Sequence, residues 1–261
     1  MKKSAIAVIA IGVVVCLVGI ILVVVAATNG VDVNETWQQQ SYPSTTKIDK
    51  IDLRISAGKV NIQYYSGDSI TVEYSTSNFF TTKITENNGT LKIRSNTQRY
   101  WAIGGIHNFP ETSIYIPNDS IVDLDLVINA GAVNISSVAF DDVEIKMNAG
   151  EAKIYDVYAE KLTVDINAGT FLADTVSCDI FKCDISAGNV KMQSLRADVI
   201  DVDVSAGSAT IGVDGIESEY SVFTSVSAGS CNLKSHSGTG SAKRINVNVS
   251  AGSVAFTFKK S

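Results

Sequence analysis

Histidine is nearly absent from this chain, and with it most of the apparatus of acid–base and metal chemistry. Among 261 residues there are two, His107 and His236, and neither stands at metal-ligand spacing from another histidine or a cysteine. His236 lies in Ser235-His236-Ser237-Gly238, but serine is so common here that this adjacency says nothing about a nucleophile. A phosphate-cradling glycine loop with its lysine is missing, as is a dinucleotide fingerprint. Positive charge is also short. Lys and Arg number 21 against 27 Asp and Glu, a formal net charge of −6. That balance argues against nucleic acid and against an electrostatic grip on anionic lipid or wall polymer. No cofactor is implied, and the chain does not read as an enzyme. The cysteines form no disulfide framework. Helical spacing is lacking too: beyond the N-terminal run, apolar residues never hold at three and four, while Val, Ile, Thr and Asp abound.

What the chain has in quantity is a repeat. A small-residue corner recurs as Asn129-Ala130-Gly131, Asn148-Ala149-Gly150, Asn167-Ala168-Gly169, Ser186-Ala187-Gly188, Ser205-Ala206-Gly207, Ser227-Ala228-Gly229 and Ser250-Ala251-Gly252, with an isolated copy at Ser56-Ala57-Gly58. From Gly131 to Gly207 the interval is 19 each time, and the last two intervals are 22 and 23. A fixed period near 20 residues marks a repeat architecture. Between corners the apolar residues alternate with polar ones, as in Val133 and Ile135 or Val143, Ile145 and Met147, so each segment is a short strand with one buried face. The phase resets twice within each repeat, as a chain turning corners requires. A sandwich or barrel also uses many short strands. The constant period, with equivalent side chains at equivalent positions, favours an all-β parallel solenoid (a single-stranded β-helix) in which like stacks on like. The right-handed form is the default for parallel crossovers. At the corner glycine supplies positive φ, and the Asn or Ser before it is expected to form a hydrogen-bonded ladder.

In chain order, residues 1–4 form a short tip with Lys2 and Lys3. Residues 5–27 are an uncharged apolar run, which at 1.5 Å per residue spans roughly 35 Å, enough for one transmembrane helix. Val25-Ala26-Ala27 leaves a cleaved signal peptide as the alternative. With the lysines before the span and Asp32 and Glu35 after it, the N-terminus is cytoplasmic and the remainder extracytoplasmic, on a single-pass cell-membrane protein. Residues 28–46 read as a polar linker. Residues 47–120 read as irregular β coils that cap the solenoid, with Asn87-Asn88-Gly89 as a hairpin turn. Residues 121–261 hold the regular repeats, and Lys259 and Lys260 are placed to blunt the edge of the last strand.

Three groups of side chains are candidates for sites. Asp165, Asp184 and Asp203 share one repeat position, so stacking sets carboxylates side by side. Calcium would relieve them, whereas a solvated acidic face balanced by Lys146 and Lys182 needs no ion. Tyr100, Trp101, His107 and Phe109 lie in an aromatic, glycine-containing loop, fit either for recognition or for covering the end of the stack. Cys178, Cys183 and Cys231 fall at inward positions and read as buried thiols. A Cys178–Cys183 bridge across one corner is the alternative.

The [Ser/Asn]-Ala-Gly corner, the strands Leu124-Asp125-Leu126-Val127-Ile128 and Val202-Asp203-Val204, and Ile116-Pro117 before the repeats resemble a bacterial family. It is the β-strand-repeat domain of unknown function labelled "putative adhesin", and the resemblance covers roughly residues 47–258. The family's members are envelope proteins with one N-terminal span, some of them accessory components of envelope-stress operons. The resemblance therefore implies a non-catalytic interaction or scaffold module, whose partner is an envelope protein or a cell-wall glycan. It carries no site residue with it. A surface adhesin is the second reading. A polysaccharide-degrading enzyme is the third; such an enzyme needs clustered acids in a groove with supporting bases, whereas the acidic ladder here is regular and repeats with the coil, which points to structure.

Overall fold

The computed structural model describes residues 36–77, 80–97, 109–239 and 242–259, and over these the chain is all β. The apolar run 5–27 lies outside them. Among the described residues no helix is long and apolar enough to cross a membrane.

The centre of the molecule follows the repeat directly. Strand β7 (Val122–Met147) lies parallel to β8 (Gly150–Arg196) with Gly131 on Gly150, Ile135 on Ile154, Val143 on Leu162 and Met147 on Ile166. Every partner is one 19-residue repeat away, and the inward members are fully or almost fully buried. Next to β8 lie β9 (Val199–Val204), with Phe181 on Ile200, and β10 (Ser208–Asp214), with Val190 on Ala209. Burying a side chain of this size stabilises by about 1.5–3 kcal/mol, several times the net value of an exposed polar contact, so the inward columns hold the stack together. Ser137 and Asp156 take left-handed backbone (φ 54° and 52°) at the first phase reset, where the chain bends.

The glycine corner works for two reasons, of which the sequence shows one. Gly131, Gly150 and Gly169 have φ of 149°, 127° and 146°. Gly188, Gly207, Gly229 and Gly252 are not in that region, yet a Cβ on any of them would lie 2.2–2.8 Å from the carbonyl oxygen of the glycine in the adjoining coil. Close approach of backbones, more than backbone hand, therefore excludes other residues throughout the spine. The expected ladder forms at the asparagines, where Asn148 Nδ2 donates to Asn129 Oδ1 and Asn167 Nδ2 to Asn148 Oδ1, each at 2.7 Å. The serine copies stack through backbone, with the Ala206 amide donating to the Ser186 carbonyl at 2.8 Å.

Both ends depart from simple succession. Strand β2 (Lys50–Tyr65) pairs directly with β7, Gly58 on Gly131 and Ile62 on Ile135, although 66–121 intervene in sequence. The chain leaves β2, builds the cap, and returns. In the cap β5 (Thr90–Thr97) and β6 (Glu111–Pro117) lie parallel to β2, while β3 (Thr71–Thr76) is antiparallel to β6 and β4 (Phe80–Asn87) to β5. Asn88 and Gly89 make the β4–β5 turn at φ 48° and 71°. Residues 38–43, expected to be linker, form strand β1 (Gln38–Pro43) antiparallel to β3. No apolar alternation announces it. Its order comes from the pairing and from Trp37, whose ring stacks on Phe80 at 5.5 Å.

At the other end β13 (Arg244–Val249) pairs with β9 and β14 (Ser253–Lys259) with β10. The earlier strands β11 (Ser221–Val226) and β12 (Ser230–Cys231) lie outside them, on β13 and β14. The corners therefore stack in the order Gly207, Gly252, Gly229, not in sequence order. Burial explains the exchange: Ile245, Val247, Val249, Val254 and Phe256 are apolar enough for an inner layer, whereas 225–232 is mostly exposed. Strand β12 covers β14 only at Ser253 and Val254, so Lys259, at the far end of β14, stands beside an uncovered strand edge as expected, while Lys260 lies outside the described residues.

Candidate functional site

Parallel stacking turns repeat positions into straight rows of side chains on the outer surface. One row runs Arg94, Arg54, Val127 in the N-terminal part, then Lys146 beside Asp165, and Asp184, Asp203, Asn248 and Ser225 toward the C-terminus. Its basic beginning is compensated: the Asp52 carboxylate sits between Arg54 and Arg94, and Arg54 also reaches Asp125 at 3.2 Å. Its acidic end is not. Burial, Asp203 and Asp165 push the Asp184 carboxyl above its ordinary range, and Lys182 only partly opposes them. The neighbouring row runs Lys182, Asp201, Asn246 and Phe223.

The two rows line a shallow groove of about 600 Å³. Two amide–carboxylate bonds fix its floor, Asn246 Nδ2 to Asp201 Oδ1 at 2.5 Å and Asn248 Nδ2 to Asp203 Oδ1 at 2.7 Å. Phe223 stands in its lining with 59% of its surface exposed, the most exposed large apolar side chain among the described residues. An apolar ring beside fixed carboxylates and amides is suited to a ligand with one apolar face and several hydrogen-bonding groups.

The sequence-predicted groups fare differently. Asp165, Asp184 and Asp203 fall in one row as expected, and the last two line the groove. Among the described residues no three acidic, histidine or cysteine side chains form a group that would hold a metal ion. Tyr100, Trp101 and His107 lie outside the described residues. Phe109 is exposed, and the next residue, Pro110, accepts the Lys59 amide at 2.9 Å beside the first glycine corner. Cys178, Cys183 and Cys231 are free, so the Cys178–Cys183 bridge does not form. Burial pushes the Cys178 thiol up to about 12 and raises Cys183 as well, which leaves both without reactive thiolate. His236 pairs its backbone with Val222 and turns Nδ1 to the Lys234 carbonyl at 2.9 Å, a structural arrangement. Sequence reasoning missed Phe223 and the two asparagines. Only the exchanged order of the last coils sets Asn246 and Asn248 between the aspartates and β11.

A family model, Toastrack DUF4097, matches residues 48–260 of the chain. No curated protein sequence is similar enough to count as a match. Among solved structures, one from Bacteroides fragilis described as a "putative adhesin" shares 12% identity, covering 85% of this chain and 97% of that one at a TM-score of 0.54. Another "putative adhesin", from Parabacteroides distasonis, shares 16%, covering 87% and 98% at a TM-score of 0.52. At such identities the likeness is one of fold.

Proposed function

Since the chain belongs to the Toastrack DUF4097 family, matched over residues 48–260, we propose that it is a membrane-anchored, extracytoplasmic β-solenoid acting as a non-catalytic interaction module of the bacterial cell envelope. It scaffolds other envelope proteins or takes part in envelope-stress sensing. The observation that carries this reading is the pair of in-register rows on the outer face. Residues far apart in sequence are held side by side by a ladder that leaves them exposed, which suits recognition by a surface. The 19-residue parallel register supports the solenoid reading, with the right-handed form as the default. The uncharged run 5–27 supports the single span, and the lysines before it support an extracytoplasmic domain.

A second reading, a surface adhesin for wall polymer or glycan, is favoured by Phe223 beside Asp201, Asp203 and Asn246. A crosslinked pull-down of the tagged full-length protein from its own cells, after alkaline washing of the membranes, separates the two. The scaffold reading expects the protein to stay with the membrane and to bring down a specific envelope protein that Phe223→Ala releases. Recovery of wall glycan alone, lost in the same variant, moves the assignment to the adhesin. Release of the protein by the alkaline wash removes the anchor.

A further inference from the structure

The sheet manages its edges unequally. At the C-terminal end β11 is covered: the Val222 amide donates to the His236 carbonyl at 2.8 Å, the His236 amide returns to Val222 at 3.0 Å, and Ser235 Oγ accepts the Thr224 amide at 2.9 Å. The exposed side of β14 is plugged by Asn232, whose Nδ2 donates to the Phe256 carbonyl at 2.7 Å and whose Oδ1 accepts the Phe256 amide at 2.8 Å. In the cap β4 carries Lys83 and Glu86, and Glu86 accepts from the Thr45 amide and from the Thr45 and Thr46 hydroxyls. Strand β1 has none of these devices. It ends the path of strand pairing, holds no charged residue, keeps a continuous register without a bulge, and has no strand on its outer side among the described residues. A strand left bare in this way is a template for another strand.

The backbone fixes which groups are on offer. The Ser44 amide donates inward to the Ile70 carbonyl at 2.7 Å. Antiparallel alternation then turns the backbone groups of Tyr42, Gln40 and Gln38 toward β3 and those of Gln39 and Ser41 outward. We infer that β1 is a homotypic docking edge, taking β1 of a second copy in antiparallel register centred on Gln40, so that Gln39 and Ser41 exchange backbone hydrogen bonds across the pair. A register centred on Ser41 would set Gln39 opposite Pro43, which has no amide to give. The pairing is two-fold and closed, so it makes dimers and not fibres.

The chain outside the structure selects the second copy as occupant, and this step rests on the anchor reading above. The apolar run ends at residue 27 and β1 begins at 38. The intervening ten or so residues reach at most roughly 35 Å. Every copy therefore holds an identical bare edge at the same shallow height above one membrane. Confinement to that plane raises the effective concentration of edges, so a short, polar strand with few outward groups is enough.

The test uses full-length protein reconstituted in phosphatidylcholine vesicles, with flotation reading the anchor and oxidative crosslinking reading the pairing. Gln40→Cys places two sulfurs at the close, non-hydrogen-bonded pair on the axis. It is expected to give a disulfide-linked dimer that neither the wild-type chain nor Thr81→Cys on β4 gives. Adding Ser41→Pro removes an outward amide only, and is expected to abolish the dimer while the thermal melt stays unchanged. Flotation without a dimer, a dimer that survives Ser41→Pro, or equal crosslinking at Thr81→Cys overturns the pairing and leaves the anchor standing. Failure to float overturns the anchor reading and the inference with it.

Discussion

Asp184 has no choice of neighbours. Stacking at a fixed repeat sets Asp203 directly beside it, with Asp165 acting from the other side, and the folded chain holds its carboxyl above the ordinary range through burial and these two charges. The folded state then binds the proton more tightly than the unfolded state. Its penalty is present in full above the raised folded value and is relieved as pH falls through it to the ordinary carboxylate range. The side chain is only partly buried, and screening by solvent keeps the effect small. Asp184→Asn is therefore expected to stabilise by about 0.5 kcal/mol at pH 7. Urea denaturation should show the gain shrink toward zero on acidification and on adding salt. At this scale much was legible in the sequence. Shared repeat positions predicted the carboxylate row and the inward thiols, because a fixed period in a stacked strand fixes both neighbour and face. Phe223 was not legible, since its neighbours depend on which coil lies beside β11.

The elements divide in the same way. The Asn88-Gly89 hairpin and the regular strands between Gly131 and Gly207 were readable from turn chemistry and period-two alternation. Strand β1 was not, because Gln38 to Ser41 carry no apolar signal and the strand exists only through β3. The exchanged order of the last coils was hidden too, because identical corners do not say which lies next to which. The exchange leaves part of β14 facing outward, and Asn232 imitates the missing strand with one acceptor and one donor. Asn232→Ala removes both bonds. It is expected to destabilise by about 1–2 kcal/mol, read by urea denaturation, and to raise self-association, read by light scattering. Unchanged stability and scattering would show that the strand needs no plug.

At the scale of the molecule, the stack is a way of placing side chains. Asp203 comes from β9, Asn248 from β13 and Ser225 from β11, and only the ladder makes them neighbours. The same ladder builds the groove beside Phe223, the proposed interaction face. The most direct measurement is photocrosslinking in intact cells, with a photoreactive residue introduced at position 223 of the full-length protein and, separately, at the comparably exposed Tyr158 outside the groove. The interaction-module account predicts a discrete adduct from position 223 in the membrane fraction, weakened by Asn246→Ala and absent from position 158. No adduct from 223, or the same adducts from both positions, would contradict it.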